Sequence, residues 1–192
     1  MYAHPLDILS KTSDDLKDIT NAGIDLLYIG IESGNDSVLK MTKKQSTADI
    51  HVRSCLKALD AGFRLSCMAI TGLGGKELSK HHAIDTGKVL SEISPHFIGM
   101  LTFMVYPGTE IEQSIQNGSM KLLSDMEALK ELELLVKHLD ISNRDCVFRA
   151  NHPSNYVTIG GTLPRDKQRL LSTLQQARNH PENYKANLLR GL

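Results

Sequence analysis

Three short segments of this sequence carry the residue types from which a small-molecule site is built. The first is Gly30-Ile31-Glu32-Ser33-Gly34-Asn35-Asp36, where a carboxylate closes an apolar run and Ser33-Gly34 permits a tight turn with exposed backbone donors. A carboxylate so placed can accept two hydrogen bonds from a vicinal diol, as proteins commonly hold a ribose, or it can cap its own turn. The residue types serve either role. Lys40, Lys43 and Lys44 follow within the next turns. They suit an anionic group on the same ligand, or a solvated helix end favoured by the macrodipole. The second segment is Gly72-Leu73-Gly74-Gly75, which says that backbone comes close to something. The third is Tyr106-Pro107-Gly108-Thr109. Elsewhere the chemistry is sparse. Cys55, Cys67 and Cys146 are odd in number and match no metal spacing, so they read as buried reduced thiols. The histidines, the His81-His82 pair included, show no ligand spacing and read as surface or internally satisfied groups.

The elements that position these segments alternate. Ser13 is the expected N-cap of a first helix that Gly23 closes. A strand is expected over Asp25–Glu32, where Leu26, Leu27, Ile29 and Ile31 suit a parallel strand covered on both faces. Helices follow over Thr47–Ala61 and Ser79–Ile93, and strands over Arg64–Thr71 and Phe97–Tyr106. This order is the signature of parallel βα units, whose strand C-termini gather βα loops and helix N-termini into a ligand edge. All three segments end there. Past Pro107 the pattern turns helical: Ser124 and Glu127 form a capping box before a helix carrying Leu129, Leu132, Val136 and Leu139. Cys146–Phe148 suits a short strand, the loop Arg149–Asn155 is polar, Pro164 opens a last helix with Leu170, Leu171 and Leu174, and the tail from His180 is polar. The domain reading is 1–110 for the strand–helix part and 111–192 for a helical extension packed on it.

Composition bounds the partners. The 192 residues are 41% hydrophobic, enough for one sizeable core, and Lys plus Arg equals Asp plus Glu at 22 each. That balance gives no electrostatic case for nucleic acid or anionic membrane. No apolar run approaches the roughly 18 residues of a membrane span, and no signal peptide follows Met1, so a cytoplasmic protein is expected.

The stretch Tyr28–Lys44 resembles the fourth strand and following helix of radical S-adenosylmethionine (SAM) enzymes. It is most similar to the group of oxygen-independent coproporphyrinogen oxidases and methylthiotransferases. Met68–Gly75 is similar to their fifth strand and Met100–Thr109 to their sixth. Phe148–Tyr156 and Gly161–Pro164 resemble the tails of radical SAM proteins often called Fe-S oxidoreductases. The resemblance implies an α/β fold: the C-terminal half of a partial TIM-like (βα)6 radical SAM barrel with parallel strands, plus a C-terminal helical region. It implies a SAM site in which Glu32 binds the ribose hydroxyls, with Ser33 in the same turn. Lys44, where Arg is usual, would pair with the methionyl carboxylate, supplying charge without the bidentate fork. Gly72, Gly74 and Met104 belong to the two segments that would bracket the adenine, and Met68 stands where some relatives carry a polar ligand-facing residue.

Family members also carry Cys-x-x-x-Cys-x-x-Cys, whose thiolates hold a 4Fe-4S cluster with an open iron that chelates SAM. That motif is missing from this sequence and would lie upstream of Met1. The expectation is therefore a fragment with a weak or partial SAM site, no cluster of its own, and no activity alone. Joined to a cluster-bearing N-terminal half, it would perform SAM-dependent radical chemistry. The alternative is a non-catalytic domain for oligomerisation or for binding a nucleotide-like ligand. An aldolase-type role for Lys44 fits poorly, because a basic polar run does not depress a lysine pKa. A barrel opened before its fourth strand exposes an apolar edge, so a homo-oligomer is the other expected partner arrangement.

Overall fold

A computed structural model describes residues 1–184. Two short helices, α1 (Pro5–Ser10) and α2 (Ser13–Asn21), precede strand β1 (Leu26–Glu32). Then come α3 (Asp36–Met41), α4 (Ala48–Asp60), β2 (Arg64–Thr71), α5 (Gly75–Ile93) and β3 (Phe97–Thr102). The rest comprises α6 (Glu110–Gln116), α7 (Asp125–His138), β4 (Cys146–Ala150), β5 (Ile159–Leu163) and α8 (Lys167–Asn179). The strands form one sheet in the order β1-β2-β3-β4-β5, parallel through β4, with β5 antiparallel to it.

Alternation along each strand sorts its residues between two unlike faces. Leu27, Ile29 and Ile31 of β1, Leu65, Cys67 and Ala69 of β2, Ile98 and Met100 of β3, and Cys146 and Phe148 of β4 are buried in one cluster with the helices. Their neighbours point the other way, where a row of paired positions runs Gly30, Met68, Gly99, Arg149, Gly160 across the sheet. None of these five is fully buried, and Arg149 is exposed. The apolar run of β1 thus does not mark a strand covered on both sides. Its bulky members Leu27, Ile29 and Ile31 share the helix side, while Tyr28 and Gly30 hold the open one.

The outer edge of β1 is partly occupied. The Met1 amino group donates to Leu26 O, Tyr28 N donates to Met1 O, and Ala3 N donates to Tyr28 O, at 2.7, 2.8 and 3.0 Å. Residues 1–3 thereby act as a short parallel strand. The chain then leaves through His4, whose Nδ1 caps α1. Beyond Tyr28 no strand lies beside this edge among the described residues.

Several element ends differ from the sequence expectation for local reasons. Thr12, not Ser13, caps α2, because its hydroxyl and the Asp15 carboxylate form a reciprocal capping box. Helix α5 starts at Gly75, four residues before Ser79, and Gly74 precedes it. Strand β3 ends at Thr102 because β4 accompanies it only to Gly99, after which side chains take over. Ser154 Oγ accepts from Thr102 N (3.0 Å), Asn155 Nδ2 donates to Met100 O (2.9 Å), and Asn155 Oδ1 accepts from the Thr102 hydroxyl (2.9 Å). The polar loop before Tyr156 is therefore a substitute strand neighbour. The last helix opens at Lys167 rather than Pro164, after a turn in which Asp166 accepts from Thr162 N at 2.8 Å. Of the polar tail, His180–Tyr184 are described, with a 3-10 turn over Pro181–Asn183, and residues 185–192 lie outside the described residues.

Candidate functional site

Strand β1 ends in a distortion. Its pairing with β2 slips between Gly30 and Glu32, and Glu32 adopts φ 62°. A non-glycine residue in that region stores roughly 1 kcal/mol or more, and such strain gathers at ligand sites and switches. The distortion turns the Glu32 side chain over Gly30, where it meets Lys44 Nζ at 2.5 Å. The pair lies on the open face, Glu32 30% and Lys44 17% exposed by side chain, so it keeps only limited contact with water. Beside it a hollow of ≈ 280 Å3 runs along Tyr28, Gly30 and Lys44. Lys43 turns away to an exposed partner, Glu110, at 2.6 Å.

The turn after Glu32 is locked from behind. Gly34 approaches α5 so closely that a Cβ would stand 2.4 Å from Asp85 O, so glycine is required for contact rather than for conformation. Gly34 N donates to Thr86 Oγ1 (2.8 Å) and Asn35 Nδ2 to Asp85 Oδ2 (2.7 Å). Asn35 also caps α3 through Ser37 N and Val38 N, while Asp36 instead accepts from Ala48 N. Ser33 is fully buried, with its Oγ 2.8 Å from His82 Nδ1.

The second edge segment opens onto a cavity of ≈ 480 Å3 lined by Thr71, Gly72, Phe103, Met104, Tyr156 and the α7 start at Ser124. Gly72 has φ 86°, and its N–H donates to Glu131 Oε1 at 2.6 Å. The Thr71 hydroxyl is buried at this cavity with no hydrogen-bond partner. Gly74 is elsewhere: a Cβ there would lie 3.1 Å from both Leu78 and Val38, so it serves the packing of α3 on α5.

The structure therefore brings Glu32 to Lys44 on the open face, and Gly72 to Met104 in the cavity. Ser33 and Gly74 sit in the interior between α5 and the strand ends. Sequence reasoning missed the groups that hold these turns, His82, Thr86 and Glu131, and the buried Thr71 hydroxyl at the cavity. His82 follows His81 without ligand spacing, and Glu131 shares the buried side of α7 with Leu132 and Leu135, so only its apolar company marked it. Burial raises the Glu131 carboxyl to about 7, and burial lowers His82 to about 4.

The three thiols lie on the helix side of the sheet, all buried. Hydrogen bonding to Cys55 and burial raise the Cys67 thiol well above its ordinary value, and burial raises Cys146 to about 12. Thiols held protonated in an apolar interior are poor iron ligands, and among the described residues no group of three or more His, Cys, Asp or Glu could hold a metal ion. The described residues do not fit an iron–sulfur cluster.

The chain is an α/β protein whose mostly parallel sheet carries a strained carboxylate and glycine turns along its C-terminal edge, the edge at which such folds place ligands. Residues 6–86, fewer than half of the chain, match the family model described as Radical SAM superfamily. Among solved structures it is similar to the archaeal Methanocaldococcus infernus Elp3 with an N-terminal deletion. There the TM-score is 0.60 and identity 16%, over 72% of this chain and 32% of that one. It is also similar to methylornithine synthase (PylB), with TM-score 0.49 and identity 18%, over 67% of this chain and 36% of that one. The chain thus spans about a third of the length of these structures. No curated protein matches it.

Proposed function

We propose that this chain is the SAM-binding part of a radical SAM Fe-S oxidoreductase, working with a cluster-bearing segment outside this sequence. The observation that carries the reading is the Glu32–Lys44 pair, held over Gly30 by a strained bulge at the end of β1. Strain of this kind, in an element otherwise regular, supports a bound ligand rather than simple turn capping. Glu32 would take the ribose hydroxyls, and Lys44, released from Glu32, the methionyl carboxylate. The edge from Gly72 to Met104 would take the adenine, with the unpartnered Thr71 hydroxyl at hand for a polar ring edge. SAM, when bound beside a reducing cluster, supplies a 5′-deoxyadenosyl radical; the residues of this chain only bind and orient it. Lys44 spends its charge on Glu32 in the free state, so ligand binding must break that pair, which keeps affinity low. The three cysteines are free and buried, which supports a reducing, cytoplasmic setting.

Calorimetry with S-adenosylhomocysteine tests the assignment. Binding no tighter than about millimolar, roughly 4 kcal/mol, is expected, and Glu32→Ala abolishes it. Tight binding that survives Glu32→Ala removes the ribose contact and the reading with it.

A further inference from the structure

Behind the edge that the proposed function assigns to SAM, a buried polar chain ties two of its turns together. Its centre is His82 on α5, fully buried. The ring reaches two different segments: Nδ1 is 2.8 Å from Ser33 Oγ in the turn after β1, and Nε2 is 3.0 Å from Ile70 O near the end of β2. A carbonyl can only accept, so Nε2 carries the proton and Nδ1 accepts from the Ser33 hydroxyl. Ser33 Oγ in turn accepts from Asn35 N at 3.0 Å. Glu131 of α7 completes the chain. Its Oε1 accepts from Gly72 N at 2.6 Å and stands 3.6 Å from His82 Nε2, while its Oε2 has no hydrogen-bond partner.

We propose that His82 and Glu131 are positioning residues that hold the Ser33 and Gly72 turns in one arrangement, and that ionisation of Glu131 resets both turns together. The inference rests on the SAM reading only for its consequence in binding. The physical reason is a competition for one proton. With Glu131 neutral, His82 Nε2–H belongs to Ile70 O. An ionised carboxylate 3.6 Å away attracts the same N–H and strengthens its own bond to Gly72 N. The ring then moves away from Ile70, and the Ser33 hydroxyl on its other side follows. Burial raises Glu131 to about 7, so both states are reached near neutrality.

Few other charges stand near. The Ser79 hydroxyl also reaches the Glu131 carboxyl, and Asp85 lies beyond His82 on α5. Lys76 and Glu127 pair with each other at 2.9 Å between α5 and α7, and Arg178 of α8 pairs with Glu133 instead. None of them is placed to neutralise Glu131 fully, and the unpartnered Oε2 is the atom that must bear the charge or the proton.

Amide NMR of the full chain from about pH 5.5 to 8.5, a window that brackets the raised carboxyl, tests this. Gly72 and Asn35 N–H resonances should shift with one shared midpoint near 7, the value to which burial raises Glu131, and Glu131→Gln should abolish both transitions. S-adenosylhomocysteine affinity should then change severalfold across that midpoint in the native chain and stay flat in Glu131→Gln. Independent or absent transitions at Gly72 and Asn35 in the native chain overturn the proposal, even if the variant does not fold. Shared transitions without any ligand binding uphold the clamp and overturn the SAM reading instead.

Discussion

At the scale of single residues, Glu131 and His82 are buried ionisable groups with opposite effects on stability. Glu131 titrates at about 7 when folded against an ordinary 4.5, and His82 at about 4 against 6.5, burial being the first cause of both. Glu131, with its folded value raised, contributes stability that is complete below pH 4.5 and lost as pH climbs through 7. His82, with its folded value lowered, contributes stability that is complete above pH 6.5 and lost as pH falls through 4. Between 4.5 and 6.5 the two slopes oppose, each changing stability by at most about 1.4 kcal/mol per pH unit. His51, also buried and lowered by burial to about 4, adds to the His82 slope, so the native melting temperature should rise with pH across that window. Glu131→Gln should rise more steeply than the native chain between pH 4.5 and 6.5, and His82→Gln should be nearly flat there, because Glu131 and His51 then oppose each other. Thermal scans at a few pH values would show it, and parallel slopes in the two variants would contradict it. Neither residue announced this role in the sequence. A histidine without ligand spacing and a glutamate at an apolar helical position acquire it only when α5 and α7 pack against the strand ends.

At the scale of elements, the sequence was most legible where one segment decides its own state. Strand β2 runs Arg64–Thr71 as its pattern predicts, and the Ser124–Glu127 capping box starts α7 where the spacing places it. Ends set by distant partners were not legible. Strand β3 stops at Thr102 because Ser154 and Asn155 arrive from a remote part of the chain, and Ile159–Leu163 becomes a strand only because β4 offers it an edge. The turns followed the same rule. Glu32 and Lys44 stand in one contiguous stretch and meet in the structure, whereas the Gly72–Glu131 bond joins parts of the chain that no local pattern connects. Asn155 is the sharpest test of the substitute-neighbour role. It is buried and bonds both Met100 O and Thr102 Oγ1. Asn155→Ala leaves a buried carbonyl without a partner and should cost about 1–3 kcal/mol in chemical denaturation. A change under about 0.5 kcal/mol, the range of an inconsequential substitution, with unaltered amide exchange at Leu101 to Phe103, would remove that role.

At the scale of the molecule, two surfaces remain uncovered among the described residues. One is the outer edge of β1 beyond Tyr28. The other is the open sheet face, near which the rings of Tyr2 and Tyr28 lie tilted against each other, 5.3 Å between centroids, while 78% and 37% exposed. An open strand edge beside exposed aromatic rings favours association. Sedimentation at micromolar concentration should show a dimer or larger species, and a monomer with slow exchange throughout Leu26–Ile31 would refute this. Anaerobic iron–sulfur reconstitution should leave no stoichiometric cluster, because all three thiols are buried and the Cys67 and Cys146 thiols are raised well above their ordinary value. One cluster per chain, with the broad absorption near about 400 nm of thiolate-ligated clusters, would overturn that. The proposed function stands on SAM binding at the strand-end edge of this chain. Amide NMR during titration with S-adenosylhomocysteine to about ten millimolar, well past the expected affinity, tests it most directly. Saturable shifts are expected at Glu32, Lys44, Gly72 and Met104, absent in Glu32→Ala. No shifts at these four residues, or the same shifts in Glu32→Ala, would contradict it.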